Sequence, residues 1–345
     1  MNRFRLLVKT FAPLAPIRAH AAWTLVLPLV LLPLASTRLH GTEAAEQRSL
    51  QEYVDSLMRG RRGAVIVSNP VTGEILAVSN PRVAFERAFP PGSTAKIVAS
   101  AVALEEGAIS PGDHILCRRV LELLGEGYHC SHPPAIAPFT LTEALAQSCN
   151  YFFCALSARI SSESLAHEYS LLGFGSPAEG LGSHAQPGRI HVGDSPAAKA
   201  RAALGEGTIL VTPAQLLLAY SALATRGLVF RLWKAPSPPD AAVLRQIKLK
   251  PATFDLLRSG LEGCVRFGTG QAAAVEGVRV AGKTGTAAAL DGSRATHAWF
   301  VGFAPTVKPE IALVVLLERG TGARDAAPLA EKILNHYFAA KNGKP

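Results

Sequence analysis

Three short sequences, in order along the chain, carry residue types that together could transfer an acyl group through a serine. They are Ser93-Thr94-Ala95-Lys96, Ser148-Cys149-Asn150 and Lys283-Thr284-Gly285-Thr286. A serine hydroxyl is a weak nucleophile until a neighbouring base takes its proton. The first motif offers both groups. The second offers a hydroxyl and an amide that can relay a proton and hold a substrate amide, and the third offers a cation with two hydroxyls for a carboxylate. The set predicts acyl transfer.

The first motif needs a helix start to bring its two reactive groups together. Ser93 and Lys96 are three residues apart, so on the first turn of a helix their side chains share a face. The preceding Pro90-Pro91-Gly92 predicts a sharp entry into that helix. A helix N-terminus also directs backbone N–H groups at a developing anion. A desolvated lysine near another cation has a lowered pKa, so Lys96 can act as the base.

The other two motifs require a turn and a strand. Ser148 and Asn150 lie two apart in a turn within a helical block, which puts both on one side of the chain. Lys283 follows an apolar, strand-like run, and Gly285 permits close approach of another backbone. We therefore expect Thr284 and Thr286 at a strand end, with their hydroxyls available to a carboxylate.

The pattern along the chain predicts the elements that position these residues. Two β-branched runs around an Asn-Pro…Gly turn predict a hairpin over 63–79, followed by a mostly helical subdomain over about 104–226. Strand-like segments follow near 278–281, 298–303 and 311–317, and an amphipathic helix closes the chain. This order predicts an α+β fold: an antiparallel five-stranded sheet, built from both ends of the chain and flanked by helices.

The net charge and its distribution along the chain limit the classes of binding partner that the sequence predicts. The formal net charge is +9, but the cations are spread thinly, with no run of Lys and Arg interleaved with aromatic residues. Nucleic-acid binding is therefore not expected. An anionic membrane surface or an anionic wall polymer accounts better for the basic balance.

The N-terminus has the residue pattern of an export signal. An apolar stretch over 21–35 follows four basic residues and precedes the first acidic residue, Glu43. The basic residues are Arg3, Arg5, Lys9 and Arg18. A basic flank before a hydrophobic run directs the following chain across the cytoplasmic membrane. The pattern of residues 1–40 predicts either a signal anchor or a cleaved signal peptide, for which Leu34-Ala35-Ser36 would be the cleavage site. The long basic flank favours the anchor. Residues 41–61 read as a short linker before a domain over 62–342.

The chain has five cysteines, and an odd number fits an oxidising compartment only in part, because cysteines there normally form pairs. Cys117 and Cys130 flank a loop-like stretch and are the candidate disulfide. Cys149, Cys154 and Cys264 lie in apolar, helix-like contexts and are expected to be buried free thiols. The spacing of Cys117 and Cys130 to nearby histidines matches no common zinc pattern, so the sequence predicts no metal site.

With these motifs, the chain resembles the penicillin-binding transpeptidase domain, of the superfamily shared with D,D-carboxypeptidases and serine β-lactamases. The resemblance extends from residue 62 to the final helix. It includes stretches around the motifs: Asn69-Pro70-Val71-Thr72-Gly73-Glu74-Ile75-Leu76-Ala77, Phe89-Pro90-Pro91-Gly92, Ala281-Gly282 and Ala298-Trp299-Phe300-Val301-Gly302. Gly205-Glu206-Gly207 departs from the family's usual G-Q-G, which puts the role of that loop in doubt.

The resemblance implies a role for each motif residue. Ser93 would attack the carbonyl between the two D-alanines of a peptidoglycan stem peptide, Lys96 would be the base, and Ser148 would pass a proton to the leaving D-alanine. Lys283 would complete the catalytic set and bind the terminal carboxylate. The substrate-binding residues would be Asn150, for an amide, and Thr284, Gly285 and Thr286 around that carboxylate. The N–H groups of Ser93 and Thr286 would form the oxyanion hole. β-Lactams would inhibit as substrate mimics, no cofactor is required, and a separate glycosyltransferase would supply the glycan.

Three alternatives use the same acyl-enzyme or the same fold. A D,D-carboxypeptidase would transfer the acyl group to water, and acceptor choice cannot be deduced from these motifs. A serine β-lactamase of class A would need a glutamate to activate water, and neither Glu163 nor Glu168 sits in that family's pattern. A non-catalytic sensor or scaffold would keep the fold and bind β-lactam or partner proteins.

Overall fold

The structure is a computed structural model, and it describes residues 47–123, 125–134, 137–178, 185–236 and 243–341. The predicted signal or anchor segment over 21–35 lies outside the described residues. Among the described helices, none has the length and hydropathy needed to cross a bilayer.

A five-stranded antiparallel sheet forms the centre of the molecule. Its strands are β1 (Gly63–Ser68), β2 (Ile75–Ser79), β7 (Ala281–Ala288), β8 (Thr296–Ala304) and β9 (Ile311–Leu317), in the order β2-β1-β9-β8-β7. Every residue of β1 and of β9 is buried, because helices cover both faces of the sheet. The N-terminal hairpin therefore pairs with a C-terminal strand, as predicted, and β7 is an edge strand.

Helices cover the sheet and build most of the rest of the described chain. They are α1 (47–58), α2 (Pro81–Glu86), α3 (Lys96–Glu105), α4 (Leu141–Ala146), α5 (Asn150–Ser157), α6 (Ser162–Leu171), α7 (Pro196–Leu204), α8 (Pro213–Ala224), α9 (Pro251–Arg266) and α10 (Ala327–Lys341). Thr212 and Gln215 form a capping box that starts α8, and all of α8 is buried. This helix forms the centre of the core between the sheet and the helical subdomain.

The interpretation of 41–61 as a linker is wrong for residues 47–58, which form α1. Leu50, Val54 and Met58 are spaced four apart, so they make one apolar stripe. That stripe is buried in a hydrophobic cluster that also contains Ile333 and Leu334 of α10. The apolar spacing was present in the sequence.

The helical subdomain contains a hairpin that the sequence interpretation treated as a loop. Strands β3 (Val120–Leu123) and β4 (Glu126–His129) are antiparallel, with Val120 opposite His129. The hairpin brings Cys117 and Cys130, which flank it in sequence, to the same end. A third short pair, β5 (Leu228–Phe230) and β6 (Val243–Gln246), lies beyond α8.

Candidate active site

Ser93 and Lys96 lie on one tight helical turn. A 3₁₀ turn spans Gly92–Ala95, and the N–H of Lys96, at the start of α3, donates to the Ser93 carbonyl. A 3₁₀ turn has three residues, so side chains at i and i+3 are in line. Thr94 and Lys96 are fully buried, whereas Ser93 is partly exposed. The hydroxyl of Ser93 is therefore the accessible group of the motif.

Lys96 joins the first motif to the second. Its Nζ donates to the Ser148 carbonyl oxygen at 2.8 Å and to Asn150 Oδ1 at 2.6 Å. The Ser148 hydroxyl lies 3.2 Å from the same nitrogen. Among the described residues, no hydrogen bond joins Lys96 to the Ser93 hydroxyl. The buried amine is thus held by the second motif, next to the serine that it would have to deprotonate.

Burial shifts the titration of both lysines in the site. Desolvation, and then the positive charge of Lys283, lower the pKa of Lys96 to about 7. Burial also lowers the pKa of Lys283. Near neutral pH a substantial fraction of Lys96 is therefore a neutral amine, which can accept a proton.

Unusual backbone geometry places Ser148 and Asn150 on either side of a helix cap. Ser148 has φ of 55°, a left-handed conformation that is uncommon for a residue with a side chain. Cys149 is the N-cap of α5, and its Sγ accepts from the N–H of Phe152. Asn150 then begins the helix and donates through Nδ2 to the His129 carbonyl at 2.8 Å. The two side chains of the motif both reach Lys96 because the chain turns sharply at Ser148.

The third motif lies within β7 rather than at a strand end. Successive side chains of a strand alternate, so Thr284 and Thr286 share one face and Lys283 lies on the other. The Thr284 hydroxyl lies 2.6 Å from that of Thr269, and Thr286 Oγ1 accepts from the N–H of Gly322 at 3.0 Å. Thr284 is buried, whereas Thr286 is exposed at the open edge of the sheet.

Gly285 brings the first and third motifs together. A Cβ there would lie 2.8 Å from the Pro91 carbonyl oxygen and 2.9 Å from the Thr94 methyl group, so a side chain would push the Ser93 turn away from β7. The Trp299 indole on β8 donates to the Pro90 carbonyl at 2.9 Å and fixes the same turn. The close backbone approach predicted for Gly285 is confirmed.

The loop that departs from the family pattern contacts the Ser93 turn through backbone. The N–H of Gly92 donates to the Gly205 carbonyl at 2.9 Å. A Cβ at Gly205 would lie 2.2 Å from the Gly92 oxygen, and Gly205 has φ of 73°. The contact therefore depends on Gly205 and does not require a glutamine at position 206.

Sequence reasoning missed several residues that support the site. The Thr269 hydroxyl reaches Thr284, the Trp299 indole holds the turn before Ser93, and the His129 carbonyl holds Asn150. Trp299 was noticed only as part of a strand. Thr269, between two glycines after α9, and His129 carried no signal, because their contacts come from residues distant in sequence.

The expected disulfide is not formed. All five cysteines are free, and Cys117 Sγ and Cys130 Sγ lie 3.7 Å apart, against about 2.05 Å in a disulfide. Cys130 Sγ is equally 3.7 Å from Cys149 Sγ, and Cys117 Sγ is 3.6 Å from His132 Nε2. Cys149, Cys154 and Cys264 are buried, as predicted. The four groups of Cys117, Cys130, His132 and Cys149 lie within 4.8 Å of one another and could hold a metal ion, contrary to the expectation from spacing.

Comparison with known proteins yields relatives in sequence and in structure. The peptidoglycan D,D-transpeptidase PbpA of Mycobacterium tuberculosis is 27% identical, over 82% of this chain and 68% of its own. The stage V sporulation protein D of Bacillus subtilis is 30% identical, over 81% of this chain and 49% of its own. The chain thus spans from about half to two thirds of these relatives. Pseudomonas aeruginosa PBP2 superposes with a TM-score of 0.75 at 25% identity, covering 86% of this chain and 78% of that one.

The predicted α+β fold is confirmed by that structural similarity. The family model of the penicillin-binding protein transpeptidase domain matches residues 63–335, which is well over half of the chain. The chain belongs to the family of penicillin-binding protein transpeptidase domains.

Proposed function

We propose that this chain is a serine D,D-transpeptidase that cross-links peptidoglycan stem peptides through an acyl-enzyme on Ser93. One observation carries the proposal. Segments far apart in sequence meet around a single, partly exposed serine: a buried lysine with a pKa of about 7, the turn that holds this lysine, and the edge strand of the sheet. The names of the sequence relatives support the same reaction.

Acylation begins with attack of Ser93 Oγ on the carbonyl between the two D-alanines. The neutral Lys96 amine accepts the serine proton, which requires its lone pair to turn toward Ser93 Oγ. Ser148, whose hydroxyl is 3.2 Å from Lys96 Nζ, relays a proton to the departing D-alanine amine. The N–H groups of Ser93 and Thr286 stabilise the oxyanion. An amine of a second stem peptide then takes the acyl group and frees Ser93.

Charge and hydroxyl groups favour a substrate that ends in a carboxylate. Lys96 and Lys283 are both fully buried at this site, and each is a cation when protonated, so their charges favour an anionic group on the substrate. Thr286 is exposed, and its oxygen accepts from Gly322, so its own proton can be donated to a carboxylate. Asn150 already uses Oδ1 on Lys96 and one Nδ2 hydrogen on His129, which leaves one hydrogen for a substrate carbonyl.

The position of the two candidate glutamates disfavours a β-lactamase of class A. Glu163 and Glu168 line a cavity with Val102 and Glu105, near the far end of α3. Val102 is nine positions after Ser93, which corresponds to about 15 Å along the helix axis. Neither carboxylate can therefore activate a water at Ser93. Hydrolysis of the acyl-enzyme by a D,D-carboxypeptidase is the alternative outcome, and it differs only in the acceptor.

The proposal implies a place and a partner. Stem peptides lie outside the cytoplasmic membrane, so the domain would work on that side, held there by the N-terminal segment or released after its cleavage. A glycosyltransferase that polymerises the glycan would act with it.

Fluorescent penicillin labelling of membranes that contain the full-length chain tests the acyl-enzyme. Wild type should be labelled and Ser93→Ala should not. Ser157→Ala is the matched control, because this buried serine on α5 bonds only its own helix, through the Cys154 carbonyl. Equal labelling of wild type and Ser93→Ala would contradict the proposal.

Incubation of the protein with a pentapeptide donor and a stem-peptide acceptor tests which molecule accepts the acyl group. Mass spectrometry should find a cross-linked dimer that depends on Ser93. Tetrapeptide alone would favour the carboxypeptidase, and fast turnover of a chromogenic cephalosporin would favour a β-lactamase. Binding of β-lactam without any peptide product would favour a sensor or scaffold.

A further inference from the structure

Three cysteines and a histidine converge beside the second motif, in an arrangement that suits a metal ion. Cys117 precedes β3, Cys130 and His132 follow β4, and Cys149 caps α5. All four side chains are buried. We propose that these four residues bind one Zn²⁺ ion, and that the ion fixes the turn that carries Ser148 and Asn150.

The distances between the ligand atoms match the edges of a zinc tetrahedron. With Zn–S near 2.3 Å and Zn–N near 2.05 Å, tetrahedral angles place two sulfurs about 3.8 Å apart and a sulfur and nitrogen about 3.6 Å apart. The Cys117–Cys130 and Cys130–Cys149 sulfur pairs are both at 3.7 Å. Cys117 Sγ lies 3.6 Å from His132 Nε2. Three of the six edges thus have the length that a shared ion requires, and all six are within 4.8 Å.

The backbone around the cluster is arranged to stabilise thiolates. Each sulfur accepts a backbone N–H: Cys117 from Arg119 at 3.3 Å, Cys130 from Tyr151 at 3.2 Å and Cys149 from Phe152 at 3.4 Å. N–H donors to all three sulfurs would help to stabilise the thiolates that a bound metal holds. Zinc binding would release the thiol protons to solvent. Three thiolates and a neutral imidazole leave the complex with a net charge of −1.

The histidine is oriented by its other ring nitrogen. His132 Nδ1 lies 2.7 Å from the Pro133 carbonyl oxygen, which can only accept, so Nδ1 carries the proton. Nε2 then has its lone pair directed at the cluster. A ligand histidine whose second nitrogen donates to a carbonyl is the usual arrangement in zinc sites. Three soft thiolates with one imidazole, buried and four-coordinate, favour a structural Zn²⁺ over Mg²⁺ or Ca²⁺.

The cluster is coupled to the catalytic residues through short connections. Cys149 lies between Ser148 and Asn150 in sequence. Asn150 also donates to the carbonyl of His129, the neighbour of Cys130. An ion bound to Cys130 and Cys149 would therefore tie the hairpin to the start of α5 and hold Ser148 in its left-handed conformation. Positioning of the second motif, rather than chemistry at the metal, is the proposed role.

Metal analysis of the full-length wild type, purified without chelator, tests the site directly. We expect about one zinc per chain, as in other structural sites. Cobalt substitution should give the visible bands of tetrahedral cobalt and a thiolate-to-cobalt charge-transfer band. Cys117→Ser should weaken zinc binding at least about tenfold in competition with a chromophoric chelator. Cys154→Ala is the control: this buried cysteine of α5 is outside the cluster, and its variant should keep a full complement of zinc.

Removal of zinc from wild type with a chelator tests the positioning role without any substitution. The first-order rate of penicillin acylation should fall at least about tenfold and recover when Zn²⁺ is returned. The dissociation constant of the non-covalent penicillin complex should change less than the acylation constant, because the carboxylate site on β7 is retained and only the contact with Asn150 is lost. A general loss of folding would move both constants, and it would appear in the thermal unfolding curve.

Several outcomes would overturn the proposal. Wild type without zinc and two mass units lighter than the reduced chain would show a disulfide instead. Equal zinc in wild type and Cys117→Ser would place the ion elsewhere. Unchanged acylation after zinc removal would refute the positioning role. The zinc site does not depend on the proposed reaction: Ser93→Ala should keep its zinc, so failure of one proposal is distinguishable from failure of the other.

Discussion

Acylation of Ser93 should depend on pH through Lys96, whose pKa is about 7. Only the neutral amine can accept the serine proton. With that pKa, roughly one tenth of Lys96 is neutral at pH 6 and about nine tenths at pH 8. The acylation rate constant should therefore rise about tenfold across this range, with a midpoint near pH 7.

The assay is stopped-flow acylation by a penicillin whose carboxylate is ionised throughout. The first-order constant at saturating penicillin isolates the chemical step from binding. Lys283→Gln is the diagnostic variant. Because the Lys283 charge lowers the pKa of Lys96, its removal should move the midpoint to higher pH. If Lys283 also binds the substrate carboxylate, as proposed, the variant should bind penicillin more weakly, but the position of the midpoint is independent of that loss.

A flat profile between pH 6 and 8 would refute Lys96 as the base. A midpoint that stays unchanged in Lys283→Gln would instead show that the second lysine does not act on Lys96 electrostatically. Ser157→Ala, which lies outside the site, should reproduce the wild-type profile.

Three further changes test two supports of the site and the burial of one carboxyl group distant from it. Gly285→Ala places a Cβ 2.8 Å from the Pro91 carbonyl oxygen, so it should destabilise the fold by about 1–3 kcal/mol, measured by denaturant unfolding. It should also slow acylation by about two orders of magnitude, measured by the rate of penicillin labelling. Trp299→Phe removes the donor to the buried Pro90 carbonyl and should cost about 1–3 kcal/mol in the same unfolding measurement. Burial raises the pKa of Glu168 to about 7, so its ionisation destabilises the folded state as pH rises from about 4.5 through 7. Glu168→Gln should therefore raise the free energy of unfolding by up to about 3 kcal/mol at pH 8 and change it little at pH 5. Melting temperatures at the two pH values would report this difference, and an equal gain at both would contradict the reasoning.

Local patterns in the sequence were enough to predict the contexts of the reactive residues. The spacing of Ser93 and Lys96 and the preceding Pro-Pro-Gly depend on one helical turn, and the structure has that turn. The strands of the sheet followed from β-branched runs with turn residues between them. Such features are set by neighbours within a few residues, so a single sequence carries them.

Features that depend on distant residues were not predictable in the same way. The hairpin of β3 and β4 is short, with an exposed or half-exposed first strand, so its pattern resembles a loop. Cys149 was read as a buried thiol because its neighbours are apolar. Only the folded hairpin shows that Cys117 and Cys130, separated by 13 residues, meet Cys149 from the next helix. Common zinc patterns place ligands in pairs with two to five residues between them, whereas Cys117 and Cys130 are 13 positions apart and Cys130 and Cys149 are 19 positions apart.

The geometry of the site is maintained mainly by backbone contacts. The Ser93 turn is held by the Gly205 carbonyl on one side, by the close approach of Gly285 on another, and by the Trp299 indole through the Pro90 carbonyl. Lys96 is held by a carbonyl as well as by a side chain. Glycine at 205 and 285 matters because it lets these backbones touch, so substitutions that leave every reactive side chain in place can still disable the enzyme. The same logic explains why a departure at position 206 is tolerated by the contact, while a side chain at 205 would not be.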